Sequence, residues 1–317
     1  MFIPAAWSRV SLAHRICILL LVCLPYVFLY ASIATKSYIT TKNHREELER
    51  YPYDRVMFHP GRYCKTCQVL KPARSKHCSI CNACVSRHDH HCVWLMNCVG
   101  LNNYGYFLSM ILSLSIMLLY GSWLGHSLLT QTLDKHLPPS SLIRTTRQSW
   151  VTFFNIWAGV VAIDIRVGSV TMLMFMTAPL AMAFLVYHTY LIWAGMTTNE
   201  SSKWSEWKED VIDGFVYKAS KAEIYGSSPL LGEYQRPENS WPVSSDQVLV
   251  VTDEPPKEGC LMSPDSNEIT QPSDRNAPID QRWVPVRGMG EIDNIYDLGF
   301  WKNLRHAFRT PARAKTS

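Results

Sequence analysis

The amino-acid sequence predicts an α-helical integral membrane protein with three transmembrane helices and a cysteine-rich, two-zinc domain between the first and the second. Three observations predict it. The stretches 16–34, 106–124 and 170–196 almost lack charge. Each reaches the roughly 20 residues that a helix needs to cross a bilayer core. Seven of the ten cysteines fall between positions 64 and 98, with histidines among them. The charge is a modest +5, which gives no case for nucleic acid as a partner.

The elements follow in order. Segment 1–35 holds the first apolar stretch. It runs longer than the ~7–15 residues of a signal-peptide core, and no clear small-residue cleavage site follows it, so it reads as a span. Segment 36–103 is polar and then cysteine-rich. Segment 104–196 holds the second and third spans, which form a hairpin. Between them lies WVTFFNIWAGVVAI (150–163), apolar but only 14 residues long. That length suits a membrane-surface or re-entrant piece. Segment 197–317 is a tail. Its stretch 225–290, rich in Ser, Pro, Asp and Glu, is expected to be disordered. NIYDLGFWKNLRHAF (294–308) is expected to form an amphipathic helix, with Ile295, Leu298, Phe300, Trp301, Leu304 and Phe308 on its apolar face. Lys and Arg in 36–100 and after 196 place both segments in the cytosol. The N-terminus then falls on the far side, where Arg9 and Arg15 run against the rule.

The cysteine cluster carries a repeat. Cys64 and Cys67 are followed by His77 and Cys84; fourteen residues on, Cys78 and Cys81 are followed by His91 and Cys98. Both sets read C-x2-C-x9-H-x6-C. Each supplies three thiolates and one imidazole, a closed tetrahedral set for structural zinc. CxxC pairs with embedded histidines favour metal over disulfides, and metal thiolates suit a reducing compartment. A different pairing of the eight ligands stays open.

Cys92 is left over, with Asp89 and His90 just before it. An imidazole can take the proton of a thiol, and a carboxylate can orient that imidazole. Asp89, His90 and Cys92 therefore form a candidate nucleophilic set. The alternative is a spare thiol beside a solvating carboxylate. His88 reads as a surface residue. Trp94 either lines an apolar site or anchors the loop at the membrane interface.

CKTCQVLKPARSKHCSICNACVSRHDHHCVWLMNCVGLNNYGYF (64–107) resembles the cysteine-rich domain of the DHHC protein S-acyltransferases. TTNE (197–200) is similar to the family's TTxE motif, and 294–308 to its C-terminal aromatic motif, with Leu304 where Trp is common. The resemblance implies that Cys92 takes a palmitoyl group from palmitoyl-CoA as a thioester and passes it to a protein thiol. It implies His90 as base, Asp89 as orienting carboxylate and His91 as a zinc ligand. Thr197, Thr198 and Glu200 would pack near the site, and Asn303 would hold the tail. Trp94 and Phe107 would stand near the entrance of the acyl chain. Lys71 and Arg74 are candidates for the CoA phosphates, with a solvated basic surface as the alternative. KWSEWKEDVIDG and the layout look most like the fungal spore-wall-formation branch. That branch implies the endoplasmic reticulum membrane and substrates with juxtamembrane cysteines, SNAREs among them. The family normally has two helices before the cysteine-rich domain and four in all. One is found here, so either a preceding segment is missing from the sequence or this is a three-helix variant, and one wall of the acyl cavity is unaccounted for. A zinc-stiffened adaptor and a cross-braced ubiquitin ligase are the competing classes.

Overall fold

Runs of leucine, isoleucine and valine become helices because they satisfy their own backbone groups within one segment, which a membrane interior requires. The computed structural model describes residues 2–137, 149–225, 241–263, 266–274 and 276–308. Among them, three helices are long and apolar enough to cross a membrane: α2 (Leu12–Ala34), α4 (Tyr104–His136) and α6 (Ile165–Trp193). Two short helices, α1 (Phe2–Trp7) and α3 (His44–Arg50), flank α2 in sequence. The 14-residue segment is a helix of that length, α5 (Trp150–Ile163), started by Ser149, whose side chain accepts from the Thr152 amide.

The chain divides into two compact units. The first comprises 1–31 and 106–189. Its buried core joins Ala6 and Val10, Ile18 of α2, Leu124, Leu128 and Leu133 of α4, Val160 of α5 and Val167 of α6. Arg9 donates to Asp164 at 2.5 Å and to the Leu128 carbonyl at 2.5 Å. The N-terminal segment and the α5–α6 junction therefore share one end of this unit, and the Asp164 carboxylate pairs with Arg9 there. Gly125 lets α4 and α6 meet: a Cβ on it would lie 1.9 Å from Thr171 Oγ1. Leu19, Leu20 and Leu24 of α2 and Leu173, Phe175 and Leu180 of α6 stay exposed, as lipid-facing residues do.

The second unit comprises 32–105 and 190–317. Its cysteine-rich part forms three two-stranded antiparallel hairpins, β1–β2 (Tyr63–Cys64, Val69–Leu70), β3–β4 (Lys76–Cys78, Ala83–Val85) and β5–β6 (His90–Cys92, Asn97–Val99). Helix α7 (Thr198–Ile212), strand β7 (Val216–Ser220) and helix α8 (Lys221–Tyr225) follow, then β8 (Gln247–Val251), β9 (Leu261–Met262), β10 (Ile269–Thr270), β11 (Val284–Pro285) and α9 (Phe300–Ala307).

Two expectations are corrected here. The stretch 225–290 was expected to be disordered, but β8 pairs along its length with β7 in a sheet ordered β11–β7–β8. Val248 and Val250 pack with Ala219 and Trp283, while Leu249 packs on the other face with Trp207 and Val216. A five-residue strand buried on both faces is diluted by an average over a long polar stretch. Positions 226–240 lie outside the described residues. The 294–308 segment is also not one helix. Gly299, at φ 83°, turns the chain into α9, whose buried residues are Asn303 and Ala307. Trp301 and Phe308 are exposed, and Ile295 lies before the helix, in a core with Tyr51, Phe58, Ala73, Leu101 and Tyr296.

Candidate active site and metal centres

Each hairpin opens on a cysteine whose sulfur accepts amides from the turn that follows. Cys64 accepts from Thr66 and Cys67, Cys78 from Ile80 and Cys81, and Cys92 from Trp94 and Leu95. The fourth residue after each cysteine is left-handed: Gln68 (φ 54°), Asn82 (φ 50°) and Met96 (φ 46°).

The spacing repeat is realised in space. Cys64, Cys67, His77 and Cys84 bring one ligand atom each within 4.8 Å of one another, and so do Cys78, Cys81, His91 and Cys98. His77 Nδ1 lies 3.5, 3.3 and 3.9 Å from the three sulfurs of the first set. His91 Nδ1 lies 3.6, 3.3 and 3.6 Å from those of the second. These match the edges, roughly 3.4–3.8 Å, of a tetrahedron around an ion with thiolate and imidazole ligands. The donor sets therefore fit metal. Burial and neighbouring sulfurs push the Cys84 and Cys98 thiols up, a repulsion that a cation among them removes.

Between the sets runs the segment 37–39. The Ile39 amide donates to the Cys84 carbonyl and the Ser86 amide to the Ser37 carbonyl. Ile39 packs against Cys64 and Cys84, while Tyr38 packs against Cys78 and Cys98, and its hydroxyl, close to Cys81, donates to Asn97 Oδ1 at 3.4 Å.

Cys92 lies in β5, buried at 8% exposure. Burial is the largest single influence and opposes its ionisation, but His90 and the amides of Leu95 and Trp94 together outweigh it, and the thiol is held below its ordinary value. His90 Nδ1 contacts Asp89 Oδ2 at 2.7 Å. Burial works against its charged form too, but Asp89 and Cys92 prevail and push it up to about 9. The result favours a thiolate–imidazolium pair backed by a carboxylate.

Asp89 is fixed by the start of α7. The Thr198 amide donates to its Oδ1 at 3.0 Å, the Thr198 hydroxyl to its Oδ2 at 2.7 Å, and the Asn199 amide to its carbonyl at 3.1 Å. An anion at a helix N-terminus meets unpaired amides and the positive end of the dipole. Thr197 and Glu200 form a capping box that sets this terminus. Asn303 of α9 donates to the Ile192 carbonyl at 2.9 Å and accepts from the Leu298 amide at 3.0 Å, tying the tail to the end of α6.

Other expected site residues lie elsewhere. Arg74 is not presented to solvent as a phosphate ligand. It is 2% exposed and makes a bidentate pair with Glu200 at 2.7 and 2.5 Å. The faces of Tyr51 and Tyr296 cover it at 5.3 and 4.5 Å. It also donates to the Gly195 carbonyl, where a Cβ on that glycine would fall 2.5 Å from the Asp297 backbone. An arginine in a basic run looks solvated until its partner, 126 residues away, is placed. Lys71 is half-buried on a backbone held by Arg62 and Tyr53. His88 is buried rather than on the surface, and burial with nearby Lys76 pushes it down to about 4. Trp94 stands out at 88% exposure, two residues from the thiol. Phe107 is fully buried against Phe184 and His188 in the first unit.

Fold and site together define a multi-pass membrane protein that carries a cysteine–histidine–aspartate line on a domain of paired metal knuckles. A family model described as DHHC palmitoyltransferase matches residues 57–205. Palmitoyltransferase swf1 of Aspergillus fumigatus is 65% identical over 314 residues, covering 99% of this chain and 83% of its own. Palmitoyltransferase swf1 of Emericella nidulans is 62% identical, covering 99% and 76%. Palmitoyltransferase SWF1 of Neurospora crassa is 36% identical, covering 97% and 71%. The chain belongs to the DHHC palmitoyltransferase family, in its fungal Swf1 branch.

Proposed function

We propose that the chain palmitoylates protein cysteines through an acyl-Cys92 thioester. The alignment of Asp89, His90 and Cys92 on one metal-stiffened hairpin carries this reading. The Cys92 thiolate attacks the thioester carbonyl of palmitoyl-CoA. The CoA sulfur leaves and takes the proton held on His90. An acceptor thiol then gives its proton to His90 and attacks acyl-Cys92, which leaves again as thiolate. Asp89 orients the imidazole and stabilises its charge, and Thr198 holds Asp89. The palmitoyl chain partitions into the bilayer while the CoA head stays in water.

Zinc is the ion that the two Cys3His sets suit. Bound there, it closes the loops that carry the hairpins and supplies folding energy. Lys71 is the remaining candidate for a CoA phosphate, since Arg74 is committed to Glu200. Exposed Trp94 suits contact with an acyl chain or a membrane surface. The distribution of Lys and Arg supports a cytosolic site. Likeness to the Swf1 branch supports the endoplasmic reticulum as location and juxtamembrane cysteines, such as those of SNAREs, as acceptors.

The test is autoacylation in mild detergent with labelled palmitoyl-CoA and zinc. A hydroxylamine-labile label that Cys92→Ser abolishes is expected. A label that survives this change, or its absence from folded protein with both ions bound, overturns the proposal.

A further inference from the structure

The three hairpins are copies of one another at a 14-residue step. Cys64 pairs with Val69, Cys78 with Ala83 and Cys92 with Asn97. The residue four positions after each cysteine is left-handed, and each sulfur accepts two amides from its turn. In the first two hairpins the residue three positions on is Cys67 or Cys81, the second metal ligand, and its amide lies 3.5 or 3.4 Å from the first sulfur. In the third it is Leu95, 1% exposed.

We infer that Leu95 keeps the nucleophile free of metal: β5–β6 is a third metal knuckle whose second ligand is replaced by an apolar side chain. The turn that presents Cys92 is the one that presents zinc-binding sulfurs twice earlier in the same domain. His90 beside Cys92 would add an imidazole. A thiol at position 95 would complete three ligands, enough for zinc with a water in the fourth place. Leu95 leaves two, and its apolar side chain, 1% exposed, offers no ligand at the position that Cys67 and Cys81 hold in the earlier hairpins. A domain that needs zinc to fold can then carry a reactive thiolate in the same backbone without losing it to the same metal. The inference rests on the reading of Cys92 as nucleophile, but its readout is metal content and thiol access, not acyl transfer.

The test is Leu95→Cys in the full chain. Zinc is counted by plasma mass spectrometry, and iodoacetamide labelling of Cys92 is located by peptide mass. The variant should hold one zinc more than wild type and lose Cys92 labelling until a mild chelator removes that ion. Adding Cys92→Ser should return the count to the wild-type value. Leu95→Val, which changes packing without adding a ligand, should match wild type in both readouts. A folded Leu95→Cys protein with wild-type zinc content and wild-type labelling overturns the inference. Should that variant not fold, wild type decides: added zinc must leave Cys92 labelling unchanged, and protection by zinc overturns the inference. Failure of the nucleophile reading alone shows differently, as normal zinc behaviour with no thioester.

Discussion

The second and third hairpins share a backbone and differ in what surrounds the sulfur. Cys78 meets Cys81, His91 and Cys98, four donors converging on one point. Cys92 meets His90, and behind His90 stands Asp89, held by Thr198. On the proposed reading, one turn presents a sulfur for structure in one copy and for chemistry in the next. The difference lies in one side chain of the turn, three positions on, and in the helix that docks beside it. A zinc-bound thiolate is neutralised by its ion, whereas a thiolate balanced by an imidazolium remains a nucleophile.

The largest test of this contrast swaps the two cysteines' fates. Cys78→Ser removes one donor of a closed set, and structural zinc of this kind contributes roughly 10–16 kcal/mol in isolated zinc-finger peptides. Loss of an ion and of the cooperative melting transition is expected. Cys92→Ser should keep both ions and the transition while losing autoacylation entirely. If Cys78→Ser retained both ions, the two hairpins would not differ as described.

Next comes the pair that seats α7 beside the third hairpin. Arg74→Ala leaves Glu200 buried without its partner and should destabilise by about 3–5 kcal/mol, read as a fall in melting temperature in detergent. The joint change Arg74→Met with Glu200→Met should cost less than either truncation alone. A small effect of Arg74→Ala would restore the solvated-surface reading of this arginine.

Thr198→Val acts only on the third hairpin. It removes a hydrogen bond to a charged group, worth about 1.5–3 kcal/mol. Autoacylation should slow by about 10- to 100-fold at unchanged zinc content. A fall in zinc content would make Thr198 a structural residue.

The smallest effect belongs to the metal hairpins. Tyr38→Phe removes the hydroxyl near Cys81, a loss of about 1 kcal/mol. Chelator should extract one of the two ions faster and leave the other unchanged. Equal acceleration of both would mean that Tyr38 acts on the whole domain rather than on one site.

Much of the site was legible because its ligands are local. His77 and Cys84 lie within twenty residues of Cys64; the repeat points to this set, and the structure selects it from the pairings that spacing leaves open. His90 and Cys92 share one face of β5, and Asp89, just before that strand, meets the imidazole at 2.7 Å. Arg74 and His88 were misread for the opposite reason. The burial of Arg74 depends on Glu200 of α7 and on the rings of Tyr51 and Tyr296, and the His88 amide in turn donates to the Arg74 carbonyl. The strand at 247–251 escapes a sequence reading because its partner strand, β7, is separated from it by a long polar stretch.

The sequence by itself determined the apolar spans, the eight candidate ligands and the spare thiol. Each follows from hydropathy or from spacing over a few turns of chain, where local geometry leaves little choice. Only the tertiary structure decided which charges are buried, that Thr198 grips Asp89, and that Arg74 serves Glu200 rather than solvent. Those outcomes depend on contacts between distant segments, and the energy of a charge is set by what surrounds it in space.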